Sequence, residues 1–467
     1  MRLMIRISAL FLALGVSSGA MADPIDDYIG AEMARQHIPG LSLAVMRHGQ
    51  VVRTQGYGFA NLEHHIPVHP DTLFKTGAVG MQFTAMATML LVEDGKIALD
   101  DPVTRYLPKA PPSWKRVTIR QLLNHTSGLP ATPNGEFRTD YSDDELLDII
   151  FRQDINFAAG TRWRFSYTNY IVLGFVIRKV SGEYYGDLLT RRLFRPLGMN
   201  SARPIDELAV VPNRAAGYEM RDGMARNAEW VSPTANSTAD GSLYLSALDY
   251  AAWDAGVAAG RIVQPRSWAA IANPAGIASG KTYPYGFGWF QEAAAGQTIW
   301  RHGGSWQGFR TFIIRYMPAG LTVVVLANSD KSDPGLIARH IAGMVEPVLK
   351  QAPALPIQDA APGMTDRAGS LLDAIARGQA AHGDFTDMAK LDFTEMQAEY
   401  QAIVQPLGTR RAIALFGRMP RGDDDVHVYR ARYDTGMLEM RLSYAPNGRI
   451  GGIEIMPIDR WDTPLVE

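Results

Sequence analysis

Cysteine is absent from the 467 residues, so the chain can carry no disulfide, no thiolate nucleophile and no cysteine-ligated zinc or iron–sulfur centre. Neither sign of charge is in excess: 46 lysines and arginines stand against 48 aspartates and glutamates. That balance argues against nucleic acid as a partner, because such proteins carry a basic surplus. Long apolar runs are missing too. The run at residues 7–16 falls well short of the ~20 residues that a membrane-spanning helix needs. Internal repeats and low-complexity tracts are not found. What is present is ordinary globular material, 46% hydrophobic and 20% charged, enough for a large core in two domains at ~100–200 residues each.

The first 22 residues read as an export signal rather than as part of the fold. Arg2 and Arg6 make a positive start, the apolar run follows, and Ala20-Met21-Ala22 is a small-x-small cleavage pattern. Cleavage after Ala22 leaves 44 basic against 48 acidic residues and predicts a periplasmic or secreted protein.

Beyond Asp23 a helix is expected, then strands at 41–46 and 51–56 around His48-Gly49-Gln50, a hairpin with a glycine turn. Residues 79–93 read as a helix stopped by Asp94-Gly95. Loops and helices fill residues 100–260, and strand-like runs return at 298–302, 310–316 and 321–327. Strands at both ends with helices between predict a mixed α/β (α+β) fold: an antiparallel sheet joining its first and last segments, beside a helical region. The Ala- and Pro-rich stretch 351–363 reads as a linker. Residues 364–467 then predict a small α+β accessory domain, with helices at 364–382 and 393–404 and strands at 426–433, 437–444 and 449–456. This module carries no catalytic cluster and offers a surface for a protein partner.

Four segments follow one another along residues 24–350: Ile38-Pro39-Gly40-Leu41-Ser42-Leu43-Ala44-Val45, Leu122-Leu123-Asn124-His125-Thr126-Ser127-Gly128-Leu129, Phe165-Ser166-Tyr167-Thr168-Asn169-Tyr170, and His302-Gly303-Gly304. Together they resemble the serine β-lactamase-like family, which includes class C β-lactamases, D-Ala-D-Ala carboxypeptidases, D-aminopeptidases and esterases. The resemblance implies a β-lactamase/transpeptidase-like fold and acyl transfer without cofactor or metal. In that chemistry a serine attacks a carbonyl, a lysine one helical turn later and a tyrosine manage its proton, and two backbone N–H groups hold the oxyanion.

The stretch resembling the Ser-x-x-Lys motif is Phe74-Lys75-Thr76-Gly77-Ala78-Val79-Gly80-Met81-Gln82-Phe83-Thr84, with Ala78 in the serine position and Met81 in the lysine position. Neither side chain can do the chemistry, so the ordinary acyl-enzyme route is closed. Without a neighbouring cation Tyr167 is expected to stay protonated near neutral pH. The receptor is expected to persist: oxyanion donors on Ala78 and Ser305, Asn169 for a substrate amide, His302 as donor to a carbonyl or carboxylate, Gly304 allowing close backbone approach, and Trp306 touching the ligand. Tyr167 and His302 are the two remaining candidate catalytic residues.

The reading adopted is a non-hydrolytic member that binds peptide or ester-like ligands, such as D-residue peptides or peptidoglycan fragments. The alternatives are a peptidase or esterase working by another route, with Ser305, Ser166, Thr76 or a water held by His302 and Tyr167 in place of the nucleophile, and an inactivated variant of a serine hydrolase. The groove loops at 130–160 and after 205 carry no recognisable pattern.

Overall fold

His48 and Gly49 both take positive φ, 49° and 74°, the conformation that a two-residue hairpin loop demands. In the computed structural model, which describes residues 23–221, 223–294 and 296–465, this loop joins the strands Gly40–Arg47 and Gln50–Asn61. They belong to a seven-stranded sheet whose other members are Ile66–Pro67 on one side and Leu321–Ala327, Phe309–Met317, Gln297–Trp306 and Phe290–Ala294 on the other. The first long strand lies antiparallel to the last, with Leu41 opposite Ala327 and Arg47 opposite Leu321. The sheet therefore joins its two sequence ends, as the strand distribution predicts.

Side-chain alternation divides this sheet between two cores. Leu41, Leu43, Val45, Val323 and Val325 pack with Ile337 and Ile341 of the helix Pro334–Val345, and with Ile29 of the N-terminal helix Pro24–Gln36. Ala44, Met46, Val324 and Leu326 point the other way, into the helical region. A sheet covered on both faces reads as continuous apolar runs, which is why Val323-Val324-Val325 shows no polar alternation.

The helical region is built around Met81–Glu93, buried from Met81 to Leu91. It is buried on every side, and its polar Gln82, Thr84 and Thr88 donate to Val79 O, Ala239 O and Thr84 O inside the core. A 3-10 turn, Gly77–Gly80, leads into it; the helix proper thus starts two residues later than the predicted 79. Asp94 caps its end and Gly95 leaves in the left-handed conformation, φ 71°.

Residues 362–458 hold a core of their own. Strands Arg410–Arg421, Asp424–Tyr433, Met437–Tyr444 and Ile450–Ile458 form an antiparallel meander. Helices Pro362–Ala376 and Asp387–Val404 pack on it through Leu372, Phe393 and Tyr400 against Tyr429 and Met440. Three sequence expectations need correction here, one being the start of the second helix, which is Asp387, six residues before the expected 393. The first strand was not foreseen, because Gly417 and Pro420 interrupt its pattern; Pro420 is tolerated on an edge strand. The first helix ends at Ala376, where Arg377 caps it and Gly378 turns left-handed, φ 66°, not at 382. The preceding stretch is not free of the meander either: Ile357 N donates to Leu415 O at 2.9 Å.

A hairpin tip is one of the places where the meander touches the rest of the chain. Gly422 N donates to Thr282 O at 3.1 Å, and the Arg421 guanidinium lies 5.9 Å over the Tyr283 ring. Tyr283 in turn stacks on Trp163, centroids 3.7 Å apart and planes within 4°. Residues 284–289 form a buried turn between the short strand Thr282–Tyr283 and the strand Phe290–Ala294: Gly288 takes φ 77°, and Tyr285, Phe287 and Trp289 enter the core. Among the described residues no helix is long and apolar enough to cross a membrane. The proposed export signal lies outside the described residues.

Candidate active site

Three glycines bring the 76–80 turn into backbone contact with its neighbours. A β-carbon on Gly77 would sit 2.6 Å from Ser305 N, one on Gly304 2.0 Å from Thr76 O, and one on Gly241 2.0 Å from Gly77 O. Gly241 also has φ 134°, a conformation open essentially to glycine alone. Side-chain and backbone bonds then fix the turn: Thr76 Oγ1 donates to Gly241 O at 2.7 Å, Thr76 N to Leu243 O at 3.0 Å, and Thr311 Oγ1 to Thr76 O at 2.6 Å. Main chain meets main chain on both sides of Ala78.

Over this turn lies a cavity of about 320 Å³. Of the eight residues expected at the site, Ala78, Tyr167, Ser305 and Trp306 line it. The loops at 132–142 and 229–238 roof it. They are tied together by Ser232 N donating to Phe137 O at 2.8 Å, Tyr141 N to Thr234 Oγ1 at 2.9 Å, and the Arg138–Glu229 ion pair. Trp306 is held by its indole N–H on Asn236 Oδ1 at 2.6 Å, and Phe137 meets it edge-on at 5.8 Å.

Met81, Asn169, His302 and Gly304 are not on the cavity wall. Met81 is fully buried among core side chains. The amide of Asn169 is used internally: Ser127 Oγ donates to its Oδ1 at 2.6 Å, and its Nδ2 donates to His125 Nδ1 at 3.1 Å. The space that Gly304 leaves is taken by the chain's own Thr76 carbonyl rather than held open for a ligand. His302 is 1% exposed and sits behind the cavity, among Phe165, Tyr285 and Phe290.

These buried groups form a directional chain. Since His125 Nδ1 accepts from Asn169 and from Ser166 N, its Nε2 carries the proton and donates to Tyr285 Oη at 3.3 Å. Tyr285 donates onward to His302 Nε2 at 3.1 Å, and His302 Nδ1 donates to Gly303 O at 2.7 Å. Every member is neutral in this arrangement, and desolvation keeps it so. Burial pushes the His302 imidazole down to about 4, and His125 also lies well below its ordinary value.

An acid-sensitive fold is the consequence. The folded-state value of His302 lies below that of an unfolded histidine, so the unfolded chain binds more protons between pH ~6.5 and ~4. Stability is full above that window, falls as pH drops through it, by about 3 kcal/mol for His302 alone, and levels off below. Urea midpoints at neutral and acid pH should show a smaller acid loss in His302→Gln than in wild type; equal losses would contradict the assignment.

Tyr167, at the start of the helix Tyr167–Ser181, has its phenol pushed up to about 12, by burial first and by Asp240 second. It is a protonated donor at neutral pH. Lys75, the cation next to the turn, is ion-paired with Glu207 and is not among the cavity-lining residues. Asp240 was not foreseen: Asp-Gly reads as turn punctuation, yet this residue lines the cavity with its carboxyl raised by desolvation to about 6. Thr238 Oγ1 donates to it at 2.6 Å.

The sequence model of the beta-lactamase family matches residues 25–397. Penicillin-binding protein 4* of Bacillus subtilis (strain 168) is 28% identical over 303 residues, 61% of this chain and 66% of that protein. The putative penicillin-binding protein PbpX of the same organism is 29% identical over 292 residues, 62% of this chain and 71% of its own length. The chain thus spans about two thirds of the length of these relatives. Among solved structures, the octameric penicillin-binding protein homologue from Pyrococcus abyssi superposes with a TM-score of 0.60 at 23% identity, covering 93% of this chain and 96% of that one. D-amino acid amidase from Ochrobactrum anthropi SV3 gives 0.59 at 23% identity, covering 70% and 98%.

Proposed function

Because the chain belongs to the beta-lactamase family, we propose that it is a member that binds acyl compounds without forming a serine acyl-enzyme. One observation carries this reading: the side chain on the cavity floor is the methyl of Ala78, and its partner one turn on, Met81, is a core residue. No nucleophile is activated there, while the backbone around Ala78 and Ser305 and the phenol of Tyr167 still frame a pocket for a carbonyl. The relatives' names speak of penicillin binding and of D-amino acid amides. Carried to this chain, they favour D-residue peptides or peptidoglycan fragments as ligands. The reading takes residues 1–22 as an export signal and so sets the protein in the envelope or the medium.

The test is calorimetric titration of the mature protein with D-alanyl-D-alanine and with D-alanyl-D-alanine amide, followed by chromatography of the ligand. Saturable one-to-one binding with intact ligand recovered is expected, along with no mass adduct after benzylpenicillin. Absence of binding by either peptide would remove the reading. A second reading, direct hydrolysis by a bound water, rests on Asp240: a carboxyl held at about 6 inside the cavity is in range for a general base. Product formation that disappears in both Tyr167→Phe and Asp240→Asn would favour it instead.

A further inference from the structure

The cavity has the wrong polarity for a carboxylate and the right one for a cation. Among the described residues no lysine, arginine or histidine lines it, whereas Asp240 stands in the wall and Glu136 at the rim. Where the family motif would place an ammonium there is a thioether, Met81. Among the described residues Asp240 forms no ion pair; its one side-chain partner is the Thr238 hydroxyl. The titratable groups facing it from neighbouring elements are Tyr167, Tyr184 and Tyr185, all phenols raised above their ordinary value and therefore neutral. A carboxylate partly withdrawn from water without a counter-charge is costly, and a cation arriving with a ligand relieves that cost.

The rest of the wall suits the same guest. Phe137, Tyr141, Tyr167 and Trp306 present aromatic rings, whose faces attract ammonium groups. Asp240 directly precedes Gly241, whose outward side lies against Ala78: a β-carbon there would be 3.2 Å from Ala78 Cα. A positive group at Asp240 and a carbonyl over Ala78 therefore lie within the span of one small molecule.

We infer that the cavity takes its ligand by a protonated amine anchored on Asp240, so that amino-terminal D-residue amides are preferred over peptides presenting only a carboxylate. This rests on reading the cavity as the ligand site. The preference should also be pH-dependent: Asp240 is anionic above about pH 6 and loses its charge below it, so amine binding weakens in acid.

Two probes separate the charges: D-alanyl-D-alanine amide, which has an amine and no carboxylate, and N-acetyl-D-alanyl-D-alanine, which has the reverse. Titration at neutral pH should show the amide at least tenfold tighter. Asp240→Asn should erase the difference, and acidification to pH 5 should weaken only the amide. If Asp240→Asn does not fold, the wild-type pH profile decides alone. Equal or tighter binding of the acetylated peptide, or a preference that survives in Asp240→Asn, overturns the amine anchor and leaves the proposed function standing. Failure of both probes to bind removes both.

Discussion

Serine at position 78 and lysine at position 81, introduced together, are expected to raise hydrolysis of a D-amino acid ester on the order of 10³-fold, while either change alone does little. Serine by itself would lack a base, and lysine by itself would have nothing to activate. The ceiling is set by what a catalytic serine is worth, on the order of 10⁶ in turnover. Recovery should stop short of it because the surrounding side chains are committed to other partners. Asn169 bonds Ser127 and His125 and is not free to orient a new lysine. Met81 is fully buried, so Met81→Lys brings an ammonium into apolar surroundings. That costs stability, but it also lowers the lysine's pKa towards the range of a useful base. Measured kcat/KM of the double variant against both singles decides the matter. A folded double variant with no gain would mean that the cavity is not a dormant acyl-transfer site.

Arg430→Met should unfold the C-terminal meander selectively, with a loss of about 3 kcal/mol or more. Arg430 is 0% exposed; its Nε and Nη2 donate to Glu439 Oε2 at 3.0 and 2.8 Å, and Nη1 donates to Trp461 O at 2.7 Å. Its guanidinium also lies 4.7 Å over the Phe416 ring. Removing one partner leaves a buried carboxylate, although Arg441 still holds Glu439 Oε1 at 2.8 Å and keeps the effect below that of an isolated pair. Denaturant unfolding should split into two transitions, the earlier one shifted and the later one unchanged. Arg430→Met combined with Glu439→Leu should recover much of the loss, since an apolar pair of similar volume is tolerated. A single variant within about 0.5 kcal/mol of wild type, the range of ordinary surface changes, would show that the pair carries little.

Much of the fold is local and therefore legible. The His48-Gly49 loop, the Asp94-Gly95 stop and the valine run at 323–325 each encode their structure in adjacent residues. The strands at 290–294 and 410–421 are less so: the first follows a buried aromatic turn, and the second carries charge at both ends with Gly417 and Pro420 within it. For the site, motif order brings Ala78, Tyr167, Ser305 and Trp306 to one cavity. The positions of His302 and Asn169 depend on partners 17 and 42 residues away, Tyr285 and Ser127, whose claims on them have no local signature. The roof is invisible for the same reason, since residues 132–142 and 229–238 meet only through bonds spanning about 90 positions. Asp240 hides as a turn residue until Gly241 is seen pressed against Gly77.

That last contact makes position 78 a socket rather than a component. The turn around it is located by glycine backbones on either side, at Gly77, Gly241 and Gly304, and none of those contacts involves the side chain at 78. An occupant can be exchanged there without moving the address it occupies. Such a protein can lose its chemistry by two substitutions and keep its shape, so resemblance of form and presence of activity become separately heritable properties.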